Sequence, residues 1–287
     1  MSAATDPTAA PNLLSGLPVL GRSPVLVTGG TGTLGRHVVD ELLDAQVPVR
    51  VLTRRFNAAT AAQITIGDLR TGVGLRDAVE GVGGVIHCAT STRGQEVDVD
   101  GLERLCNALS AHNPTAHLVH VSIVGCWDSP LPYYRVKAEA ETVVGQSGRP
   151  FTIVRATQFH EFVERICGAH VGSFGIGIRG LRFAPCDPQW VAQRLVDIVL
   201  EEMTLADAAP HPVSAGSPVE LAGPEVLSAR DVAVLTAHLS GRPTPRQILV
   251  PRLGRALTAL AAGSNLPGEG AVRGGRTYAQ WWTGRAS

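Results

Sequence analysis

Short apolar runs alternate with amphipathic segments along the first part of the chain. The runs that predict strands lie at 25–28, 47–53, 63–66, 84–89, 117–122 and 151–155. Segments with apolar residues at helical spacing lie between them, at 36–43, 75–81, 97–111 and 132–146. Strands that are apolar throughout and separated by helices indicate a parallel sheet covered on both faces. The pattern therefore predicts a doubly wound, Rossmann-type α/β fold.

The regular alternation of strand and helix signals ends at about residue 170. Residues 172–183 are glycine-rich and expected to be irregular; later elements are a helix at 188–200, a strand at 219–222, a capped helix at 228–239 and a strand at 247–250. We interpret 171–287 as a small substrate-side lobe built onto the sheet, because loops outside the carboxyl ends of such strands cover the ligand. The chain then divides into a flexible N-terminal extension, 1–22, and a single domain, 23–287.

The composition is that of an ordinary globular protein and narrows the choice of partners. Hydrophobic residues make up 44% and charged residues 17%, and 25 basic residues balance 25 acidic ones. This balance disfavours a nucleic acid or an anionic membrane as partner. No apolar run reaches the roughly 18 residues that a membrane helix needs, and the N-terminus makes a poor signal peptide. Five cysteines without CxxC spacing predict unpaired thiols, a reducing cytoplasm and no metal site.

A glycine-rich turn follows the first predicted strand and opens the first helix. It runs Thr28-Gly29-Gly-Thr-Gly32-Thr33-Leu34-Gly35, with three of its glycines at intervals of three. The first glycine allows a sharp turn, the second leaves room for a pyrophosphate, and the third lets the helix pack closely on the sheet. The helix N-terminus favours a phosphate through its free N–H groups and its dipole. We interpret the turn as a dinucleotide site; a loop-closing role alone is the alternative.

Arginines surround the place where the second strand ends. Arg54 and Arg55 follow that strand directly, and no acidic residue occurs between Asp44 and Asp68. An acidic residue here would bind the ribose hydroxyls of NAD, whereas an arginine accommodates the 2′-phosphate of NADP. Arg36, at the start of the first helix, is a second candidate for the phosphate. We therefore predict NADPH as cofactor, with solvated loop arginines as the alternative interpretation.

Three side chains between the end of the fifth predicted strand and the start of the sixth could take part in catalysis. Tyr133 and Lys137 lie four residues apart and therefore point to the same side of one helix. An ammonium beside a phenol favours the phenolate, which makes the tyrosine a usable acid or base nearer neutral pH. Tyr134 complicates the register, and an exposed tyrosine and lysine remain the alternative. Ser122, at the end of the fifth strand, could polarise a substrate carbonyl or could satisfy backbone groups.

These motifs together resemble the short-chain dehydrogenase/reductase superfamily. The segments that carry the likeness are the glycine turn, Gly67-Asp68-Leu69, Ser122 and Tyr133-x-x-x-Lys137. Its atypical NmrA-like branch, which includes quinone and triphenylmethane-dye reductases, is the most similar. The segments 132–141 and 155–162, PYYRVKAEAE and RATQFHEF, look particularly like that branch. The resemblance extends from about residue 23 and is specific over the first 165 residues.

The resemblance implies that 23–287 is an NAD(P)-binding domain with NAD(P)(H) in the glycine turn. Asp68 and Leu69 would flank the adenine, the region of Ala89 and Thr90 would pass the adenine ribose, and Lys137 would hold the nicotinamide ribose.

The resemblance also implies that Tyr133 is the proton donor. Members of this branch can keep the lysine and work without the tyrosine, so the cofactor role of Lys137 is the firmer one. An asparagine that the superfamily often carries is Asp98 in this chain.

The substrate pocket is expected where the fifth and sixth strands end. Trp127 follows the fifth strand, and Gln158 and His160 follow the sixth. The carboxyl ends of parallel strands share one edge, where the reactive ring of the cofactor should lie. The glycine-rich segment from Gly172 to Gly180 would cover this pocket. For His160, a structural role is the alternative.

The sequence leads to two functional hypotheses. The first is an NADPH-dependent oxidoreductase that transfers hydride to a carbonyl, a quinone or another conjugated small molecule. The second is a non-catalytic, NADP(H)-sensing regulatory protein; a DNA-binding regulator is disfavoured by the charge balance. The expected partner is a small-molecule substrate, and self-association is left open.

Overall fold

The structure is a computed structural model of the chain. It describes residues 23–55, 61–91, 94–168, 170–171, 174–208, 217–244, 246–250 and 254–285. The predicted N-terminal extension, 1–22, lies outside the described residues.

Strands and helices alternate through the first part of the described chain. The strands are β1 Val25–Thr28, β2 Val49–Thr53, β3 Gln63–Ile66, β4 Gly84–His87, β5 His117–Ile123, β6 Phe151–Ala156, β7 His170–Val171, β8 Phe174–Ile178, β9 Arg182–Phe183, β10 Val219–Ala222, β11 Leu227–Ser228, β12 Arg246–Val250 and β13 Val272–Arg273. The helices are α1 Gly35–Asp44, α2 Leu75–Val79, α3 Gln95–Asp98, α4 Asp100–His112, α5 Pro132–Gln146, α6 His160–Cys167, α7 Pro188–Ala208, α8 Ala229–Leu239, α9 Gly254–Ala262 and α10 Tyr278–Gly284.

The main sheet is wholly parallel and has the order β13-β10-β6-β5-β4-β1-β2-β3. Six of its strands therefore follow the order 3-2-1-4-5-6 of the doubly wound fold. The strand order reverses between β1 and β4, and ligands of such sheets bind outside the carboxyl ends at that point. The predicted fold class is confirmed.

Both faces of the sheet are covered by helices, as its apolar strands require. One buried cluster joins the sheet to α1 and α7, with Val27, Val38 and Leu195 among its members. The other joins the opposite face to α2, α4 and α5, with Leu26 and Leu105 among its members. Along β1, Val25 and Val27 belong to the first cluster and Leu26 to the second, so successive side chains alternate between the two layers.

Several predicted boundaries agree with the structure because the local signals are strong. Helix α5 has the predicted limits, 132–146, and begins with Pro132 at a first-turn position, where a missing N–H costs nothing. Helix α8 begins with a capping box in which the side chains of Ser228 and Asp231 each accept from the other residue's backbone N–H. Helix α7 continues to Ala208, beyond the predicted end at 200.

The later part of the chain extends the main sheet and adds a small layer beside it. Strands β10 and β13 continue the parallel sheet from β6. The prediction of an irregular segment at 172–183 was wrong at Phe174–Ile178, which forms β8 and pairs with β12 and β7. A third buried cluster contains Tyr278 and Trp281 of α10 together with α6 and α8.

Within the described residues, no helix is both long and apolar enough to cross a membrane.

Candidate cofactor and substrate site

The glycine turn between β1 and α1 has the close contacts that its sequence predicts. Gly29 has a φ of 70°, and a Cβ there would lie 2.7 Å from the Cα of Ala89. A Cβ on Gly35 would collide with the carbonyl of Gly29, whereas one on Gly32 would meet only that carbonyl oxygen, at 3.2 Å. Among the described residues, no side chain caps the N-terminus of α1. The turn is therefore tight where the helix meets the sheet and open at Gly32, which fits a pyrophosphate.

The other residues of the turn divide into buried and exposed ones. Thr28 is buried, and its hydroxyl oxygen lies 2.9 Å from Nδ1 of His87 on β4. Leu34 is buried in the core, while Thr33 and Arg36 are exposed. Thr28 and Leu34 therefore shape the turn, and Thr33 and Arg36 are available to a ligand.

Charged side chains lie together beyond β2 and β3. Arg54 and Arg55 are exposed after β2. The guanidinium of Arg70 donates to Asp68 with an N–O distance of 2.7 Å. The hydrogen bond from Arg70, with a further contribution from Arg54, lowers the pKa of the Asp68 carboxyl. Arg54, Arg70 and the ionised carboxylate of Asp68 therefore lie near one another, and Arg55 is exposed beside Arg54 in the sequence.

The side chains of Leu69 and Ala89 are wholly or partly buried, so mainly their backbones are available to a ligand. The side chain of Leu69 is buried, and a Cβ on Gly101 would lie 3.0 Å from its Cβ. Ala89 is partly buried, and its main chain packs against Gly29. A contact between Leu69 and an adenine would therefore come from the main chain.

Lys137 is buried on the sheet side of α5 and forms an ion pair with Asp98. Its Nζ lies 2.8 Å from Oδ1 of Asp98, and the two side chains are 5% and 0% exposed. The hydroxyl of Thr90 donates to the same oxygen at 2.7 Å, and the backbone N–H of Ser91 donates to Oδ2 at 2.7 Å. Asp98 therefore joins Lys137 to the loop that follows β4.

The two adjacent tyrosines of α5 have different surroundings. The Nζ of Lys137 lies 5.9 Å from the ring centre of Tyr133, which is partly exposed. Tyr134 is buried, and its hydroxyl accepts a hydrogen bond from Nε2 of Gln158 at 3.2 Å. Burial raises the pKa of Tyr134 to about 12. Tyr133 is thus the tyrosine that shares a side with Lys137, as the four-residue spacing predicts.

Two histidines lie in the core below Lys137. His87 of β4 and His120 of β5 are register partners, and their rings stack with centres 5.5 Å apart. Burial lowers the pKa of His87 to about 3 and that of His120 well below its ordinary value, and the charge of Lys137 adds to both shifts. Nε2 of His87 and both ring nitrogens of His120 have no hydrogen-bond partner among the described residues. Both rings are therefore neutral at physiological pH.

Ser122 lies beside a second buried ion pair, that of Glu141 with Arg155. Two nitrogens of Arg155 donate to the two oxygens of Glu141, at 2.9 and 2.6 Å. Nε1 of Trp127 donates to Glu141 at 2.6 Å, and Sγ of Cys126 donates to it at 3.2 Å. Burial works to raise the pKa of the Glu141 carboxyl, but the hydrogen bonds from Arg155, Ser122, Trp127 and Cys126 outweigh it and lower that pKa.

This anchoring places Trp127 along the flank of α5. The side chain is 58% exposed and lines a surface cleft of about 760 Å³, together with outer-face residues of α5 and with Ala259 of α9. The indole is therefore fixed at its nitrogen and exposed over much of its remaining surface.

Gln158 and His160, which follow β6, lie in different surroundings. Gln158 is buried and joins Tyr134 to Asn265, whose Nδ2 lies 3.4 Å from Oε1 of Gln158. His160 is fully buried, and its ring stacks on Trp281 with centres 5.1 Å apart. Burial lowers the pKa of His160 to about 4. Gln158 thus lies next to the helix that carries Tyr133, whereas the packing of His160 favours its structural role.

Of the segment expected to cover the pocket, residues 172–173 lie outside the described residues. The part at Phe174–Ile178 is strand β8. Gly180 follows it with a φ of 77°.

The sequence interpretation missed three residues that organise this region: Asp98, Glu141 and Asn265. Asp98 was noted only as a departure from the superfamily pattern. Glu141 lies four residues after Lys137, so the spacing that pairs Tyr133 with Lys137 also aligns Glu141 with them. Asn265 carries no signal in the sequence.

Comparison with known proteins identifies the family. A model of the NAD(P)H-binding family matches residues 29–172, which is half of the chain. The quinone oxidoreductase QOR2 of Escherichia coli, solved in complex with NADPH, shares the fold with a TM-score of 0.71. Its identity is 19%, over 92% of this chain and 100% of that one.

Two relatives have names that indicate different functions. The Photosystem II assembly factor Ycf39 of Trieres chinensis is 32% identical over 148 residues, or 48% of this chain, and the match spans only 46% of that protein. The NAD(P)H azoreductase of Xenophilus azovorans is 27% identical over 228 residues, or 76% of this chain and 74% of that protein. The chain belongs to the NAD(P)H-binding family, and it shares its fold with the quinone oxidoreductase QOR2.

Proposed function

We propose that this protein is an NADPH-dependent oxidoreductase that reduces a carbonyl, a quinone or another conjugated small molecule. The observation that carries the proposal is the position of Tyr133, partly exposed and beside the buried ammonium of Lys137. A phenol and an ammonium in this arrangement are suited to general acid catalysis. A relative that is an azoreductase and a fold shared with a quinone oxidoreductase support the same reaction class.

The residues have separate roles in this proposal. Gly32 and the N-terminus of α1 hold the pyrophosphate, and Lys137 binds the nicotinamide ribose. When bound, NADPH supplies the hydride. Tyr133 donates a proton to the reduced acceptor, and Lys137 stabilises the negative charge that develops on the phenol oxygen. Ser122, buried beside Cys126 and Glu141, positions the end of β5 at this edge.

The test is NADPH consumption by the purified protein with a panel of quinones, azo dyes, triphenylmethane dyes and ketones. We expect acceptor-dependent loss of NADPH absorbance with at least one class. The Tyr133→Phe variant should lose most of this activity if the acceptor needs a proton from the enzyme. A protein that binds NADPH and reduces none of these classes would contradict the proposal.

A second function is favoured by the similarity to Ycf39, a relative that is named as an assembly factor and not as an enzyme. In this alternative the chain binds NADP(H) and a protein partner without turnover. The same assay separates the two functions, since a sensor binds NADPH but does not consume it. The cytoplasmic location and any self-association remain predictions from the sequence.

A further inference from the structure

The ammonium of Lys137 has a single charged partner among the described residues. The titratable groups that interact with it are His87 at the end of β4, Cys88 directly after that strand, and His120 of β5. Burial keeps both imidazoles neutral and raises the pKa of the Cys88 thiol to about 12. None of these groups is negatively charged at neutral pH. Among the described residues, the carboxylate of Asp98 is therefore the group that balances the charge of Lys137.

The two carboxylate oxygens of Asp98 accept hydrogen bonds from different donors. Oδ1 accepts from Lys137 and from the Thr90 hydroxyl, while Oδ2 accepts from the backbone N–H of Ser91. The Ser91 N–H is fixed by the backbone, and the Thr90 hydroxyl can rotate to donate or to accept. Lys137 is the only one of the three donors on a long, flexible side chain, so it is the group whose position depends most on Asp98.

We infer that Asp98 is a positioning residue that holds the ammonium of Lys137 in place for the ribose of the bound cofactor. The carboxylate balances the buried charge and fixes its position before the cofactor arrives, so less ordering is needed on binding. The inference concerns cofactor binding and does not depend on the catalytic step proposed above.

The Asp98→Asn variant tests this role because an amide cannot satisfy all three donors. Its oxygen can accept from the Ser91 N–H, and its NH₂ group then faces the Thr90 hydroxyl, which can accept. The NH₂ group then also faces the ammonium of Lys137, where two donors oppose each other. Lys137 should therefore move away while the loop after β4 keeps its bonds.

The experiment is a double-mutant cycle with NADPH affinity as the readout, measured by titration calorimetry. The variants are Asp98→Asn, Lys137→Gln and the double variant; the glutamine amide can still donate to Asp98. We expect Asp98→Asn to weaken NADPH binding at least tenfold in the native background and less than twofold in the Lys137→Gln background. Glu96→Gln, an exposed carboxylate on the same short helix, is the matched control and should leave the affinity unchanged.

Each outcome decides the inference. Equal losses in both backgrounds would indicate a structural role and overturn it, as would native affinity in Asp98→Asn. If Asp98→Asn fails to fold, folding of the double variant would support coupling through the charge of Lys137, and failure of both would overturn the inference. A coupled loss of affinity without any turnover would contradict only the proposed enzyme function.

Discussion

Helix α5 carries two buried ion pairs one turn apart, and they differ in how completely their charges are satisfied. Glu141 accepts from Arg155 at both oxygens and also from Trp127 and Cys126. Lys137 has one short contact, to Asp98, and a carbonyl of Val121 at 3.5 Å. An ammonium has three donors, so Lys137 keeps capacity for a further acceptor, whereas Glu141 is fully occupied.

This difference separates a binding element from a structural one on the same helix. The pair of Glu141 and Arg155 fastens the loop after β5 to β6, and it needs no ligand to be complete. The pair of Lys137 and Asp98 fastens the loop after β4, and the ammonium would gain a further acceptor from a ribose hydroxyl under the proposed cofactor role. Variants at the first pair should therefore change stability, and variants at the second should change cofactor binding.

The largest effect should come from the residue next to the incompletely satisfied pair. Replacing Tyr133 with Phe removes only the hydroxyl, so turnover should fall about 10²–10⁴-fold, the usual range for general acid catalysis. NADPH affinity should stay near native. Steady-state kinetics and calorimetry on the same samples check both statements.

Tyr134→Phe is the matched control for this substitution. It removes a buried hydrogen bond to Gln158, which costs about 1 kcal/mol of stability, and it should leave turnover nearly unchanged. Native turnover in Tyr133→Phe would show that the acceptor takes its proton from elsewhere.

The Glu141→Gln variant tests the fully satisfied pair. Breaking a buried ion pair destabilises a protein by roughly 3–5 kcal/mol. We expect about 3 kcal/mol, since Arg155 is 20% exposed and can recover some hydration. Urea unfolding gives the free energy, and NADPH affinity should change less than twofold. Glu139→Gln, exposed on the same helix, is the control; a large loss of cofactor affinity in Glu141→Gln would break the distinction between the pairs.

Acid should destabilise the protein through its buried neutral histidines: His87 and His120 near Lys137, and His160 beside Trp281. The pKa of His87 is about 3 in the folded protein and near 6.5 in an unfolded chain. Stability is therefore full above about pH 6.5 and falls as the pH drops, since the unfolded state then binds a proton that the folded state excludes. The loss should be about 1.4 kcal/mol per pH unit for each such histidine.

Urea unfolding at a series of pH values between neutrality and mild acid measures this slope. The His120→Leu variant should reduce the slope of unfolding free energy against pH by the contribution of one histidine. His112→Gln, at the exposed end of α4, is the control and should leave the slope unchanged. An identical slope in His120→Leu would mean that this histidine is protonated in the folded state.

The smallest effect concerns Arg54 and Arg55 after β2, which belong to neither ion pair. NADPH should bind about tenfold tighter than NADH, because a charge-assisted contact from Arg54 or Arg55 contributes about 1.5–3 kcal/mol. The double variant Arg54→Ala plus Arg55→Ala should abolish the preference without changing stability. Calorimetric titration with both cofactors checks this, and equal affinities in the native protein would contradict it.

Local patterns in the sequence determined most of the fold and part of the site. Apolar runs bounded by turns give strands β1 to β6, because a strand buried on both faces needs apolar residues throughout. The limits of α5 and the capping box of α8 follow from residues that lie within a few positions of each other. The glycine turn was predictable for the same reason, since its contacts join Gly29 and Gly35 within one turn.

Only the tertiary structure decided which buried charges meet. Asp98 and Lys137 lie on different helices, and Arg155 reaches Glu141 from a strand. Strand β8 looked irregular because glycines interrupt it, and its pairing with β12 comes from a distant segment. The surroundings of His160 depend likewise on Trp281. Contacts between residues that are distant in the sequence depend on how the layers of the fold pack. The periodicity of apolar residues predicts which face of an element is buried, but it does not predict which element covers that face.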